Sequence, residues 1–531
     1  MELVLDNNDC QKETKMCPDD SWTARSSSTR SPDDSRGEKQ QLSPSPCHAQ
    51  IQGALKLASV FSSHMVLQRA PQRAVIWGTA TVEGDKVTAQ VIATGVNIAP
   101  VVTTVSHGVW KLKLQPVSSP GPFTINISSS EGHVTLTDVL FGDVWLCSGQ
   151  SNMYFVMSQV MNATIEIQRA LGFPNIRFTK VRTTASASPY DNAVFDIPWS
   201  GPSVTSLHGF SAVCWLFAEY LYPHLKYPIG LIEASVGGTV IEAWSSPEAL
   251  HDCTSATKRA NNNDPSALWN GMIHPLLSNT LFGVLWYQGE QNSGHSGQYS
   301  CQIQALLKRW RSSFNTQSLA ETAADFPFGY VQLAPHNQGE NYVGSYPPER
   351  WAQTAGYGYS PNPALPKTFM AVAMDLPDFA SPQGGIHPRY KQDVAERLMV
   401  GALNIAYGHS DVVFQGPFPS KFQLDTAHHT LTIEYDSGRT PLEIRNNKGF
   451  EVCCSHSGGT QCGVHDLWMA TPIVGHEGSH VTVSTSVCTT MKVIGLRYEW
   501  YTSPCPYKLC AIYSADSGLP APPYITTSIP Q

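Results

Sequence analysis

Four stretches of the chain put groups able to carry out acyl transfer beside short apolar runs. In the first, Val144-Trp-Leu-Cys147 leads into Ser148-Gly149-Gln150-Ser151-Asn152-Met153. A serine just past such a run, with a glycine allowing a tight turn, can raise its hydroxyl above a sheet while its own N–H faces an oxyanion. In the second, Ser235-Val-Gly237-Gly238-Thr239, the glycines let a backbone N–H approach a substrate closely. The third, Trp286-Tyr287-Gln288-Gly289-Glu290, offers the Gln288 amide as a donor, and the fourth runs through Asp375 and Asp378 to Ile386-His387-Pro388, where His387 is a candidate general base. Nucleophile, donors and base are the inventory of a serine-ester mechanism, which needs no metal and no cofactor. Taken singly each has a plainer role: serine caps helices, a glycine pair makes a turn, and a histidine before proline caps the next helix. Their joint occurrence at successive strand ends favours the catalytic reading.

The elements that must position these groups follow from the apolar pattern. Five short runs flanked by turn formers read as buried parallel strands: 144–147, 229–234, 284–287, 330–333 and 369–374. Helical faces fill the gaps, one carrying Ile303, Leu306, Leu307, Trp310 and Phe314, another Val394, Leu398, Leu403 and Ile405 after Pro388 at a first-turn position. This predicts a doubly wound α/β layer over 138–410, in which ligands sit at the carboxyl ends of the strands. Period-two patterns such as Trp110-Lys-Leu112-Lys-Leu114 and Phe123-Thr-Ile125-Asn-Ile127 predict a β-sandwich over 53–137, and Leu431-Thr-Ile433-Glu-Tyr435 opens a β-domain over 411–531. Residues 1–52 are rich in charge, Ser and Pro and are expected to be disordered.

Composition narrows the partners. The 531 residues carry a net charge of −8, so no positive field draws in nucleic acid or an anionic membrane, and no apolar run is long enough to span a bilayer. Six of the 13 cysteines (Cys453, Cys454, Cys462, Cys488, Cys505, Cys510) crowd near the end, which predicts disulfides and an oxidising compartment, lysosomal or secreted. Sequons at Asn126 and Asn162 agree as glycosylation sites. The first 50 residues show no signal-peptide pattern, which keeps a cytosolic location as the alternative. Cys453-Cys454-x-His456 with Cys462-x-x-His465 matches no standard zinc spacing, so no metal is expected. Cys147 reads as a buried apolar residue rather than a reactive thiol.

The blocks Gly142-Asp-Val-Trp-Leu-Cys-Ser-Gly-Gln-Ser151-Asn-Met153, Ala234-Ser-Val-Gly-Gly-Thr-Val-Ile-Glu-Ala-Trp244, Trp286-Tyr-Gln-Gly-Glu290 and Ile386-His-Pro-Arg-Tyr-Lys391 resemble those of the SGNH hydrolases, and within them the sialate O-acetylesterase family. Met65-Val-Leu-Gln68, Ala212-Val-Cys-Trp-Leu-Phe217, Met370-Ala-Val-Ala-Met-Asp375 and Leu519-Pro-Ala-Pro-Pro523 extend the likeness from about residue 55 to 525. The resemblance implies an SGNH-type three-layer αβα core with a parallel sheet, flanked by N-terminal and C-terminal β-domains. It also implies hydrolysis of O-acetyl esters of sialic acids, chiefly at the 9-hydroxyl. By position, Ser151 matches the nucleophile, His387 the base, Gly237 or Gly238 the second-block glycine, and Gln288 stands where the wider superfamily has asparagine. Many members carry an aspartate three residues before the histidine; here that residue is Gly384. The orienting group is therefore open among Asp375, Glu290, Asp378 and a backbone carbonyl. Arg389 and Arg350 are both candidates for the sialate carboxylate. The competing readings are a general acetylesterase of neutral sugars and an inactive glycan-binding protein; oligomeric state is not legible.

Overall fold

The computed structural model describes residues 54–529 apart from 94–95, 254–260, 337–342, 457–458, 464 and 489. The segment expected to be disordered, 1–52, lies outside the described residues.

Seven strands organise the core: β1 (Gly132–Gly149), β2 (Ile176–Val181), β3 (Phe195–Ser200), β4 (Ile229–Ser235), β5 (Gly283–Tyr287), β6 (Phe328–Gln332) and β7 (Thr368–Val372). Their spatial order is β3-β2-β4-β1-β5-β6-β7, parallel throughout except for the antiparallel edge strand β3. All five expected strands are present. Strands β2 and β3 were not expected, because Arg177, Lys180, Asp196 and Pro198 interrupt the apolar run that marks a central strand.

Alternate residues of each strand face opposite cores. Val144, Leu146, Val284 and Trp286 join one apolar cluster, while Trp145, Cys147, Leu285 and Tyr287 join the other. The first cluster is closed by α3 (Ser296–Gln317) through Ile303, Leu306 and Trp310, together with strand residues such as Val66 and Val75. The second is closed by α2 (Ala212–Leu225) and α5 (Lys391–Ile405) through Phe217, Val394 and Leu398. Helix α2 starts cleanly because the Ser211 side chain accepts from the Cys214 N–H. Pro388 lies before the first turn of α5, not in it.

The expected boundary at 137/138 falls inside one strand. β1 has 18 residues: its first half pairs antiparallel with Phe123–Ser129, and its second half runs parallel between β4 and β5. Residues Val66–Gln68 add a further parallel partner at Leu140–Gly142. From Pro419 onward the strands pair antiparallel in short sheets. Disulfides there join Cys453 to Cys462, Cys454 to Cys488, and Cys505 to Cys510.

Candidate active site

The site forms where the chain order reverses in the sheet. From the central strand β1 the chain goes to one side for β2, β3 and β4, then crosses for β5, β6 and β7. Such a switch point opens a crevice at the carboxyl ends. Register puts Gly149 level with Ser235 on one side and Tyr287 on the other, so the first three motif loops leave the sheet side by side.

Gly149 has φ 137°, and a Cβ there would collide with the backbone of Tyr287, so glycine is required for β1 to turn. Ser151 then opens the short helix α1 (Ser151–Tyr154). The turn is pinned by Gln150, whose Oε1 accepts from the Gln288 amide (3.2 Å), the Gly289 N–H (3.3 Å) and the Gln291 N–H (3.2 Å). A side chain on Gly237 would come within 3.5 Å of Ser151 Cβ, so the bare backbone at 237 lies against the serine. Gly238 has φ 70°. Among the described residues the N–H groups of Ser151, Gly237 and Gly238 have no protein acceptor, which leaves them available to an oxyanion.

Gln288 departs from its expected role. It is fully buried, and its amide donates to Gln150 Oε1, Thr239 O (3.0 Å) and Asn292 Oδ1 (2.8 Å), while its own oxygen accepts from Tyr299 OH (2.9 Å). Its donors are consumed in holding the strand ends together.

His387 is half-buried. Its Nδ1 lies 2.8 Å from Gln383 O, an arrangement in which Nδ1–H donates to the carbonyl and Nε2 is left with the basic lone pair. Burial, aided by the nearby Lys391 cation and opposed by the Gln383 bond, holds the imidazole below its ordinary range. The ring is therefore neutral near pH 7.

None of the three carboxylates weighed from the sequence is hydrogen-bonded to that ring. Asp375, the leading candidate, is fully buried with its oxygens taken by Arg397 (2.6 and 2.9 Å) and Tyr513 OH (3.0 Å). Asp378 grips Arg389 (2.6 and 2.8 Å). Glu290 accepts from the Asn152 amide at 2.6 Å, and burial pushes its carboxyl up. The group at the imidazole is the backbone carbonyl of Gln383. Arg350 is likewise removed as a substrate contact: it is fully buried and donates to Leu333 O, Ala334 O, Tyr501 O and Thr502 O. Arg389 keeps partial exposure beside His387.

Ser151 Oγ has no hydrogen-bond partner among the described residues, so the direct Ser151–His387 bond is not made in this structure. The two loops are joined by Asn152, which was not among the residues singled out from the sequence. Its amide donates to Ile386 O at 3.0 Å, linking the residue after the serine to the residue before the histidine, and its Oδ1 accepts from the buried Lys391 Nζ at 2.6 Å. The signal available was the position of both residues inside the matched blocks. His336 was also missed; it stacks on Tyr346 at 5.4 Å and is held below its ordinary range by burial and by His387.

Cys147 is buried as expected but is joined to Cys214 rather than free. The thiols and carboxylate of Cys453, Cys462 and Asp466 lie within 4.8 Å of one another, yet the two sulfurs are bonded together, which removes them as metal ligands.

Residues 141–341 match the family "Carbohydrate esterase, sialic acid-specific acetylesterase", and residues 420–528 match "Sialate O-acetylesterase C-terminal domain". The chain is 39% identical to the sialate O-acetylesterase of Mus musculus over 517 residues, covering 88% of this chain and 94% of the relative. It is 41% identical to that of Homo sapiens over 491 residues, covering 88% and 92%. A solved carbohydrate acetylesterase from Xanthomonas citri superposes with a TM-score of 0.74 at 26% identity, covering 89% of this chain and 99% of that one. Likeness of this length, through both the core and the C-terminal segment, means that the chain belongs to the sialate O-acetylesterase family.

Proposed function

We propose that the protein is a serine esterase that hydrolyses O-acetyl esters of sialic acids, chiefly the 9-hydroxyl ester, to free sialate and acetate through an acetyl-enzyme. The observation that carries the chemistry is the Asn152–Ile386 bond, which brings the Ser151 turn and the His387 loop to one rim at the carboxyl ends of β1 and β5. The substrate class rests on the family.

In the mechanism, Ser151 Oγ attacks the acetyl carbonyl carbon as its proton passes to His387 Nε2. The oxyanion is received by the Ser151 N–H and by the N–H of Gly237 or Gly238. The bond from the acetyl carbon to the sugar oxygen breaks, and that oxygen takes the proton from His387. Water, deprotonated by His387, then attacks the acetyl-enzyme, and Ser151 regains its proton as acetate leaves. The Gln383 carbonyl keeps the ring in the tautomer that the cycle needs. The core is read as the SGNH-type αβα arrangement with β-domains before and after it, which shape the cleft.

Five disulfides fit a secreted or lysosomal protein, and no helix among the described residues is long and apolar enough to cross a membrane. Exposed Asn162 and half-buried Asn126, whose oxygen accepts from Thr135 Oγ1, are the proposed glycosylation sites.

The test is acetate release from 9-O-acetyl sialic acid and from an acetylated neutral sugar by the full chain and its Ser151→Ala and His387→Ala variants. Both variants are expected to lose at least about a thousandfold in kcat, with the sialic ester preferred by the parent. A preference for the neutral sugar would move the substrate to the other ester class. A folded Ser151→Ala protein of parental activity would end the proposal.

A further inference from the structure

Lys391, Glu290 and Asn152 form a buried polar cluster, of which the mechanism above leaves Lys391 and Glu290 without a role. The three come from separate elements: Asn152 from α1, Glu290 from the turn after β5, and Lys391 from the first residue of α5. Asn152 and Lys391 are fully buried and Glu290 nearly so. Lys391 Nζ donates to Asn152 Oδ1 at 2.6 Å; the Asn152 amide then donates to Glu290 Oε1 at 2.6 Å and to Ile386 O at 3.0 Å. Both ends of one carboxamide are thus saturated by a lysine amine, a carboxyl oxygen and a backbone carbonyl, which leaves the side chain a single orientation. The lysine has little freedom of its own, with its Nζ 4.7 Å from the centre of the Phe155 ring and 5.4 Å from that of Tyr287.

A buried ammonium is costly, and a buried carboxylate beside it repays the cost only where the geometry is fixed by further bonds. Hydrophobic residues would fill the same space at less cost. A lysine and a glutamate bonded to opposite ends of the one side chain that joins the serine turn to the histidine loop point to a use in holding position. Burial draws the Lys391 ammonium down to about 7 and raises the Glu290 carboxyl, both shifts toward the uncharged form, as removal from water demands. The other ionisable groups coupled to these two are Asp378, which also supports the Lys391 charge, His387, which feels Lys391, and Tyr287, Tyr299, Tyr346 and Glu349, all of which feel Glu290.

We infer that Lys391 and Glu290 are positioning residues: they clamp Asn152 so that it fixes the separation between the Ser151 hydroxyl and the His387 ring during both acyl transfers. The inference rests on the assignment of Ser151 and His387, and it extends that assignment to residues that touch no reacting atom. A misplacement of about 1 Å between reacting groups costs on the order of a hundredfold, so the loss should appear in kcat and not in substrate affinity.

The experiment compares Lys391→Met, Glu290→Gln and Glu290→Ala in the full chain, with Ser151→Ala as control. It measures kcat, KM, the rate of labelling by an organophosphonate, and thermal unfolding. Lys391→Met is expected to lower kcat and the labelling rate together by about a hundredfold, with KM within about twofold of the parent. Glu290→Gln keeps an oxygen that can accept from Asn152 and is expected to lose about threefold, against about thirtyfold for Glu290→Ala, a rescue that mere space-filling would not give. Should Lys391→Met fail to fold, the two Glu290 variants decide. Folded variants with parental kcat, losses confined to KM, or Glu290→Ala no worse than Glu290→Gln would overturn the clamp. If the Ser151→Ala control keeps full activity, it is the esterase assignment itself that falls.

Discussion

At the residue scale the imidazole of His387, the proposed base, would set the working pH. It titrates below the usual value of about 6.5 because burial and the neighbouring Lys391 cation disfavour its protonated form. The proposed mechanism requires the neutral ring, so kcat/KM should rise through an acid limb whose midpoint lies under that value and then level off, as a pH-rate profile will show. A midpoint well above it would mean that another group is the base. Asp375 makes the contrasting case. Its carboxylate faces Arg397 and Tyr513, so Asp375→Ala should strand a buried guanidinium and lower stability by about 3–5 kcal/mol. Turnover per folded molecule should stay within about threefold, because no bond to the imidazole is lost. Chemical denaturation and active-site titration on the same sample separate the two effects.

At the scale of elements, the loops that carry the chemistry are held by buried polar groups rather than by apolar packing alone. Gln150, Gln288 and Asn292 tie the ends of β1 and β5 together, and Gln353 reaches from α4 (Tyr346–Ala352) and its C-terminal cap to Gln288 O and Val331 O. Glu349, on α4, is the costly member: it is fully buried, neither oxygen has a hydrogen-bond partner among the described residues, and burial raises its carboxyl to about 9. Linkage gives the sign. A carboxyl raised in the folded state keeps its proton where the unfolded chain has lost it, so its contribution is intact below about pH 4.5 and is lost progressively as pH rises toward 9. Glu349→Gln, which cannot ionise, should therefore unfold later than the parent at pH 8.5 and show a smaller advantage at pH 5. Equal differences at both pH values would place the Glu349 proton elsewhere.

For the whole molecule, cross-links join parts distant in sequence. Cys147–Cys214 ties the strand before Ser151 to α2 across a separation of 67 residues, whereas Cys505–Cys510 closes only 5. Constraint of the unfolded chain makes the longer loop worth about 4 kcal/mol and the shorter about 2 kcal/mol. The paired serine variants at 147 and 214 should thus lower the unfolding free energy about 2 kcal/mol more than the pair at 505 and 510, measured by denaturant titration. The C-terminal segment also braces the core directly: Arg350 donates to Tyr501 O and Thr502 O, and the Lys508 N–H donates to Asp375 O at 2.8 Å. This joint explains why Arg350 serves structure, although its residue type suits an anionic sugar.

The amino-acid order by itself determined the alternation of buried strands and helices, the strand ends that Ser151 and Gly237 follow, and the family. These depend on local apolar runs and turn residues, which a linear reading captures. Tertiary structure alone decided four things. Asp375 and Asp378 were claimed by Arg397 and Arg389, the Gln288 amide by Gln150, Thr239 and Asn292, and the cysteines by particular partners. The domain edge expected at 137/138 vanished into a continuous β1 because strand pairing, not composition, sets where a strand stops. The reason is common to all of these: which partner a polar group or a strand edge takes depends on what folding brings beside it, and neither the order nor the spacing of the residues marks that meeting in the chain.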